Sequence, residues 1–246
     1  MGGLSVLGRA IKAMPNENYI YLGDSLNQPY TNLPRDELVE ICIQNCEFLY
    51  EKGVKAIVVA CNTATMVAID DLQKCFNIPI LGMWPAIKTA TETCGSGQII
   101  IMATETTLAS KCVKELLEAY GKDKEIYKLA CPKVITLVEN GITRGKEIEY
   151  LLRDYFKKYD MEKPTTIVLG CTHFGYLGSF LMDIFGQGIQ IIDGAVDVVK
   201  RLYCVLQEHD ILCRTKRDSL CYEIYNSMGA KKAEISKKML LQFLGS

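Results

Sequence analysis

Histidine is almost missing from this chain, with only His173 and His209 among 246 residues. No two of its eleven cysteines stand in a Cys-x-x-Cys pair. Zinc sites need several nitrogen or sulfur ligands at set spacings, so these two absences together argue against a metal centre. Charge of one sign is missing as well. Lys and Arg total 28 against 29 Asp and Glu, a net charge of −1, so nothing argues for a nucleic-acid or membrane partner. Apolar runs stop at strand length, far short of a membrane span. Met1-Gly2-Gly3-Leu4 carries no basic region and no long apolar stretch, so no secretory signal is expected. The odd cysteine count, without framework spacing, then reads as reduced thiols in a cytoplasmic protein.

What is present is an ordinary globular composition, 49% hydrophobic and 23% charged, long enough for one large domain or two small ones. Two stretches share one design. Ile57-Val58-Val59-Ala60-Cys61-Asn62-Thr63-Ala64-Thr65 and Ile167-Val168-Leu169-Gly170-Cys171-Thr172-His173-Phe174-Gly175 each run from branched apolar residues through a small residue to cysteine. Such runs read as strands buried on both faces of a parallel sheet. Each cysteine then lies just past the carboxyl end of a strand, where open α/β sheets place ligands.

The remaining pattern alternates. Strands are expected over 18–23, 54–60, 78–83, 98–103, 125–130, up to Cys171, 189–192 and 222–225. Helices are expected from Leu4 to Met14, from Pro34 to Gly53, after Cys61 to about Cys75, and over 107–120, 145–159, 195–208 and 231–244. This alternation predicts an α/β protein of two similar lobes, each a parallel sheet flanked by helices, with a site in the cleft between them. The first lobe is read as residues 1–86 with 196–246, the second as 87–195, and Pro85 to Gly97 as the crossing.

A thiol at a helix amino terminus is favoured as the anion by orphan amides and the helix dipole. Taken singly, a cysteine is more often a small buried hydrophobe, and Cys42, Cys46, Cys75, Cys112 and Cys204 on helical patterns read that way. Cys61 and Cys171 differ, since both follow apolar strands and precede hydroxyl or amide side chains. Asn62, Thr63 and Thr172 are either ligands for a carboxylate or amine, or helix caps. His173 can hold Cys171 as thiolate or serve as an acid. Two thiols facing each other across a cleft would invert a carbon stereocentre, one removing a proton and the other delivering one.

On these motifs the chain resembles the cofactor-independent glutamate racemases of the aspartate/glutamate racemase superfamily. Supporting pieces are Gly2 to Leu7, Tyr21-Leu22-Gly23-Asp24, Pro29-Tyr30, Cys131-Pro132, Leu137 to Gly141 and Phe243-Leu244-Gly245. The resemblance implies Cys61 and Cys171 as catalytic thiols, with His173 and Glu139 supporting the second. It implies Asn62, Thr63 and Thr172 as substrate-binding residues, helped by Tyr30 and Thr31, with His173 pointing to glutamate over aspartate. It implies L- and D-glutamate as substrate and product, no pyridoxal phosphate or other cofactor, and a supply of D-glutamate to peptidoglycan. Nothing in the residues decides the oligomeric state, and a homodimer stays open. Two other readings are a racemase acting on another small acid and a non-catalytic relative.

Three departures from the family pattern stand out. The family has Asp-Ser-Gly at the end of a first strand, immediately before the position of Met1. The expectation is a reading frame extending about ten residues upstream, one strand of ordinary length with its turn. Thr31 replaces a glycine after the Pro-Tyr pair, and Phe174-Gly175-Tyr176 replaces a Tyr-Pro-Leu run.

Overall fold

Leu4, Leu7 and Ile11 recur on one face of the opening segment, and that face is buried along α1, Gly3–Ala13. In the computed structural model, residues 1–216 and 219–245 are described. There follow β1 Asn18–Gly23, α2 Arg35–Glu51, β2 Ile57–Val59, α3 Asn62–Cys75, β3 Ile80–Gly82, α4 Ile87–Thr93 and β4 Gln98–Ala103. Next come α5 Glu105–Ala109, α6 Lys111–Tyr120, β5 Glu125–Ala130, α7 Pro132–Glu139, α8 Lys146–Phe156 and β6 Thr165–Leu169. The chain closes with α9 Gly178–Phe185, β7 Ile189–Asp193, α10 Gly194–Glu208, β8 Cys221–Asn226 and α11 Ala230–Leu244. Short 3₁₀ turns cover Tyr30–Asn32 and Thr172–Tyr176.

The α/β class holds, with every strand pairing parallel. Two units are distinguished: Met1, Gly3–Met83 and Ala195–Ser246 form one, and Gly2 with Trp84–Gly194 the other. The second unit contains one sheet in the order β5-β4-β6-β7. Every residue of β4 and of β6 is buried, the two-sided covering that a continuous apolar strand requires. Gln98 enters this dry sheet because its amide donates to Asp160 O at 2.6 Å and Thr165 Oγ1 at 2.8 Å.

The first unit departs from the expected single sheet. Its described strands form two separate pairs, β1 with β8 and β2 with β3. In β2 only Ile57 is buried, while Val58 and Val59 are partly covered. Among the described residues β2 pairs with β3 alone, so its other edge has no ladder to cover it. Successive side chains still alternate between two cores. Ile57 and Ile80 pack with Leu38, Cys42, Ala64, Ala68 and Leu72 of α2 and α3. Leu81 and Met83 pack with Val6 and Ala10 of α1 and with Val198, Leu202 and Leu206 of α10.

Other differences have local causes. Within the segment read as a crossing, Ile87, Ala90 and Thr91 share a helical face and form α4. The expected helix over 107–120 is broken at Ser110, whose Oγ accepts from Val113 N at 3.2 Å and starts α6 anew. Helices α7 and α9 were not expected, and Pro132 at the first helical position opens the former. All eleven cysteines are free thiols. Cys75 and Cys204 are exposed rather than buried. Val198, Val199, Leu202, Val205 and Leu206 form a buried stripe along α10, whose period turns Cys204 outward. Among the described residues no helix is long and apolar enough to cross a membrane.

Candidate active site

In the first unit, β2 runs through Ala60 to Cys61, which has extended backbone and precedes the first residue of α3. Burial raises the Cys61 thiol above its ordinary range, against the amides of Ala64 and Thr63 that favour the anion. The expected ionisation at the helix amino terminus is therefore outweighed by desolvation, and the resting thiol keeps its proton. Asn62 and Thr63 follow, both buried. The Asn62 amide donates through Nδ2 to Met83 O at 3.2 Å, while its buried Oδ1 has no protein partner.

Tyr30 lies on the loop after β1. Its hydroxyl donates to Asp24 Oδ2 at 2.8 Å, so Tyr30 can meet a ligand only as an acceptor or through its ring. Burial, and then the Asp24 charge, push the Tyr30 hydroxyl far above its ordinary value. Asp24 is itself buried, yet its carboxyl lies below the usual range. Burial opposes that shift; donors from Asn27 at 2.9 Å, Tyr30, Ser227 and Asn45 at 3.3 Å outweigh it. Thr31 is exposed and its hydroxyl reaches only Asn32 Oδ1, at 3.4 Å.

In the second unit, β6 ends at Leu169 and Cys171 sits at the entrance of the 3₁₀ turn holding Thr172 and His173. Cys171 Sγ lies 3.3 Å from His173 Nδ1. The other ring nitrogen, Nε2, lies 2.5 Å from Glu139 Oε1, at the last residue of α7. Burial would raise the Glu139 carboxyl, but the hydrogen bond from His173 holds it down at about 2. Burial lowers the His173 imidazole below 6.5, against the pull of Glu139. Both directions describe one state near neutrality, an ionised Glu139 beside a neutral His173. The carboxylate then accepts from Nε2–H, which leaves the Nδ1 lone pair facing the Cys171 thiol. A base aimed at a thiol in this way can take its proton and hold the thiolate.

A family model described as Asp/Glu/hydantoin racemase matches residues 9–202. The chain belongs to that family. It is an amino-acid racemase, an isomerase. It is 44% identical to the glutamate racemase of Clostridium botulinum (strain Alaska E43 / Type E3) over 243 residues, covering 98% of this chain and 93% of that protein. It is 40% identical to a Clostridium perfringens glutamate racemase over 242 residues, with the same two coverages. The crystal structure of Escherichia coli glutamate racemase with L-glutamate and the activator UDP-MurNAc-Ala is similar at a TM-score of 0.82 and 25% identity. That match covers 98% of this chain and 91% of the other. Glutamate racemase isoform RacE1 of Bacillus anthracis gives 0.81 and 28%, covering 98% and 90%.

Within each unit the structure gathers residues that lie apart in sequence. Tyr30 meets Asp24 and, through it, Asn45 of α2; Glu139 meets His173 across 34 positions. Asp24 is not among the expected site residues, although an acid directly after a strand and six residues before Tyr30 is a usable signal in the sequence. Among the described residues no group of three His, Cys, Asp or Glu side chains is placed to hold a metal ion.

The His173–Glu139 pair makes stability depend on pH. An imidazole whose folded pKa lies below its unfolded value contributes stability above the unfolded value, about 6.5, and loses it as pH falls toward the folded value. Equilibrium unfolding should therefore show a fall in stability below pH 6.5 that is shallower in His173→Asn. Identical pH slopes for parent and variant would refute the buried neutral imidazole.

Proposed function

We propose that this racemase interconverts L- and D-glutamate by a 1,1-proton transfer between two thiols, with no cofactor. The observation that carries the reading is the Cys171–His173–Glu139 relay at the end of β6. It is a thiol with its own base, which proton abstraction from carbon needs. Cys61 is its counterpart at the end of β2, and the two serve opposite faces of one α-carbon. As Cys171 removes the α-proton, the Cys61 thiol delivers its own to the other face. The reverse direction exchanges their roles. The raised Cys61 thiol suits a group that waits as the proton donor.

Asn62, Thr63 and Thr172 hold the polar groups of the substrate, with Tyr30 and Thr31 at the loop and His173 near the second thiol. Support comes from the relatives named glutamate racemase and from solved similar structures holding L-glutamate or D-glutamate. The product D-glutamate would feed peptidoglycan assembly in the cytoplasm, where free thiols persist.

The deciding experiment is circular dichroism of L-glutamate incubated with the protein, without added cofactor, beside the same measurement with L-aspartate. The glutamate signal is expected to decay to zero and the aspartate signal to hold or fall far more slowly. A shorter acid anchored by the same groups sets its α-carbon off the thiol, and a displacement of about 1 Å can lower the rate about 10²-fold. Faster turnover of aspartate would overturn the assignment, and turnover of neither would remove the glutamate reading.

A further inference from the structure

Thr65 sits one turn into α3 and is fully buried. Its hydroxyl donates to Val59 O at 3.2 Å, at the end of β2, and accepts from Met83 N at 2.9 Å, just past β3. Asn62, at the start of the same turn, donates to the carbonyl of that same Met83. Both polar groups of the Met83 backbone are thus held by side chains from the first turn of α3. A carbonyl only accepts, so this bond decides which end of the Asn62 amide faces it. The acceptor end, Oδ1, is turned away and left buried with no protein partner. An unpaired buried acceptor is costly, and one kept in a folded protein calls for an explanation; a donor on a ligand would satisfy it.

The approach of β3 to α3 is close. A Cβ on Gly82 would run into the Thr65 methyl group. Threonine is stiff about its first side-chain torsion, so its methyl could not swing aside without taking the hydroxyl off its two partners. Gly82 and Thr65 therefore fit as one clamp on the peptide that orients Asn62.

We propose that Thr65 is a positioning residue for substrate binding: it holds the Met83 peptide, and that peptide sets the Asn62 amide with its acceptor presented to the substrate. This rests on the substrate-binding role given to Asn62 above. Thr65 touches no substrate atom and acts only through Met83 and Asn62.

The test compares Thr65→Val, which keeps the shape and removes the hydroxyl, with Thr65→Ser, which keeps the hydroxyl. In Thr65→Val the KM for L-glutamate should rise about tenfold or more, as expected for a lost buried hydrogen bond, with a smaller change in kcat. Thr65→Ser should stay near the parent. Gly82→Ala, which presses on Thr65 from the other side, should reproduce the KM rise and serves if Thr65→Val does not fold. A parental KM in folded Thr65→Val or Gly82→Ala, or an equal loss in Thr65→Ser, would overturn the proposal. A second readout needs no turnover. The side-chain amide signal of Asn62 in a nitrogen-15 spectrum, identified by its loss in Asn62→Asp, should move in Thr65→Val and hold in Thr65→Ser. An unmoved signal would refute the clamp even in a protein that failed to racemise glutamate, whereas failure of turnover alone would refute only the function.

Discussion

Replacing Cys171 by alanine is expected to abolish glutamate racemisation while the protein stays folded. The side chain is small and, though buried, lies past the last ladder residue of β6, Leu169, so its loss leaves the strand pairing intact. A positioned acid or base is worth about 10² to 10⁴ in rate, and here the missing group is the one that takes the proton. Cys61→Ala should fall by a similar factor, because each thiol is needed once in every turnover. Racemisation in heavy water adds a readout of mechanism: D-glutamate formed by the parent should carry solvent deuterium at the α-carbon. The measurement is the rate of loss of optical signal with mass analysis of the product. A Cys171→Ala protein that racemises at near the parent rate would end the two-thiol mechanism, as would product that keeps its original α-hydrogen.

Removing the base beside that thiol should have the next largest effect. His173→Asn leaves Cys171 without the Nδ1 lone pair 3.3 Å away, so the thiolate must form unaided. A loss of about 10² to 10³ in kcat/KM is expected, within the range of a lost general base. Enantiomers have equal free energies, so the equilibrium constant is unity and kcat/KM must fall equally from either enantiomer. Glu139→Gln should lose less, because the imidazole stays in place and only the charge that would stabilise imidazolium is gone. Kinetics in both directions on folded variants would check this ordering. A His173→Asn variant with parental kcat/KM, or a Glu139→Gln variant more damaged than it, would show that the ring does not serve the thiol.

These expectations draw unequally on sequence and on structure. The strands ending at Cys61 and Cys171 are legible because a continuous branched apolar run has few stable placements other than a covered strand. The helices with clear apolar stripes, α1, α2 and α10, are legible for the same local reason. Helices α4, α7 and α9 are short, and a single buried turn leaves too few repeats for a period to show. The break at Ser110 depends on one capping hydrogen bond, which apolar spacing does not encode. Burial was legible only as a tendency. Cys42 and Cys46 lie in the core as expected, whereas Cys75 and Cys204 face solvent.

For the candidate site, the residues themselves carried the thiols, the amide, the hydroxyls and the single histidine beside Cys171. That much follows from chain neighbours, since a cysteine ending a strand brings the next few residues with it. What tertiary structure alone decided was the state and direction of those groups. Glu139 reaches His173 only because α7 is packed onto the turn after β6, and that contact selects the tautomer facing Cys171. Burial, which depends on every neighbouring element, reversed the expected ionisation of Cys61. The Met83 carbonyl, 21 positions from Asn62, set which end of its amide was left open. Local sequence determines which chemical groups arrive at a strand end. Desolvation and long-range hydrogen bonds, which exist only once the chain is packed, determine which proton each group holds and where it points.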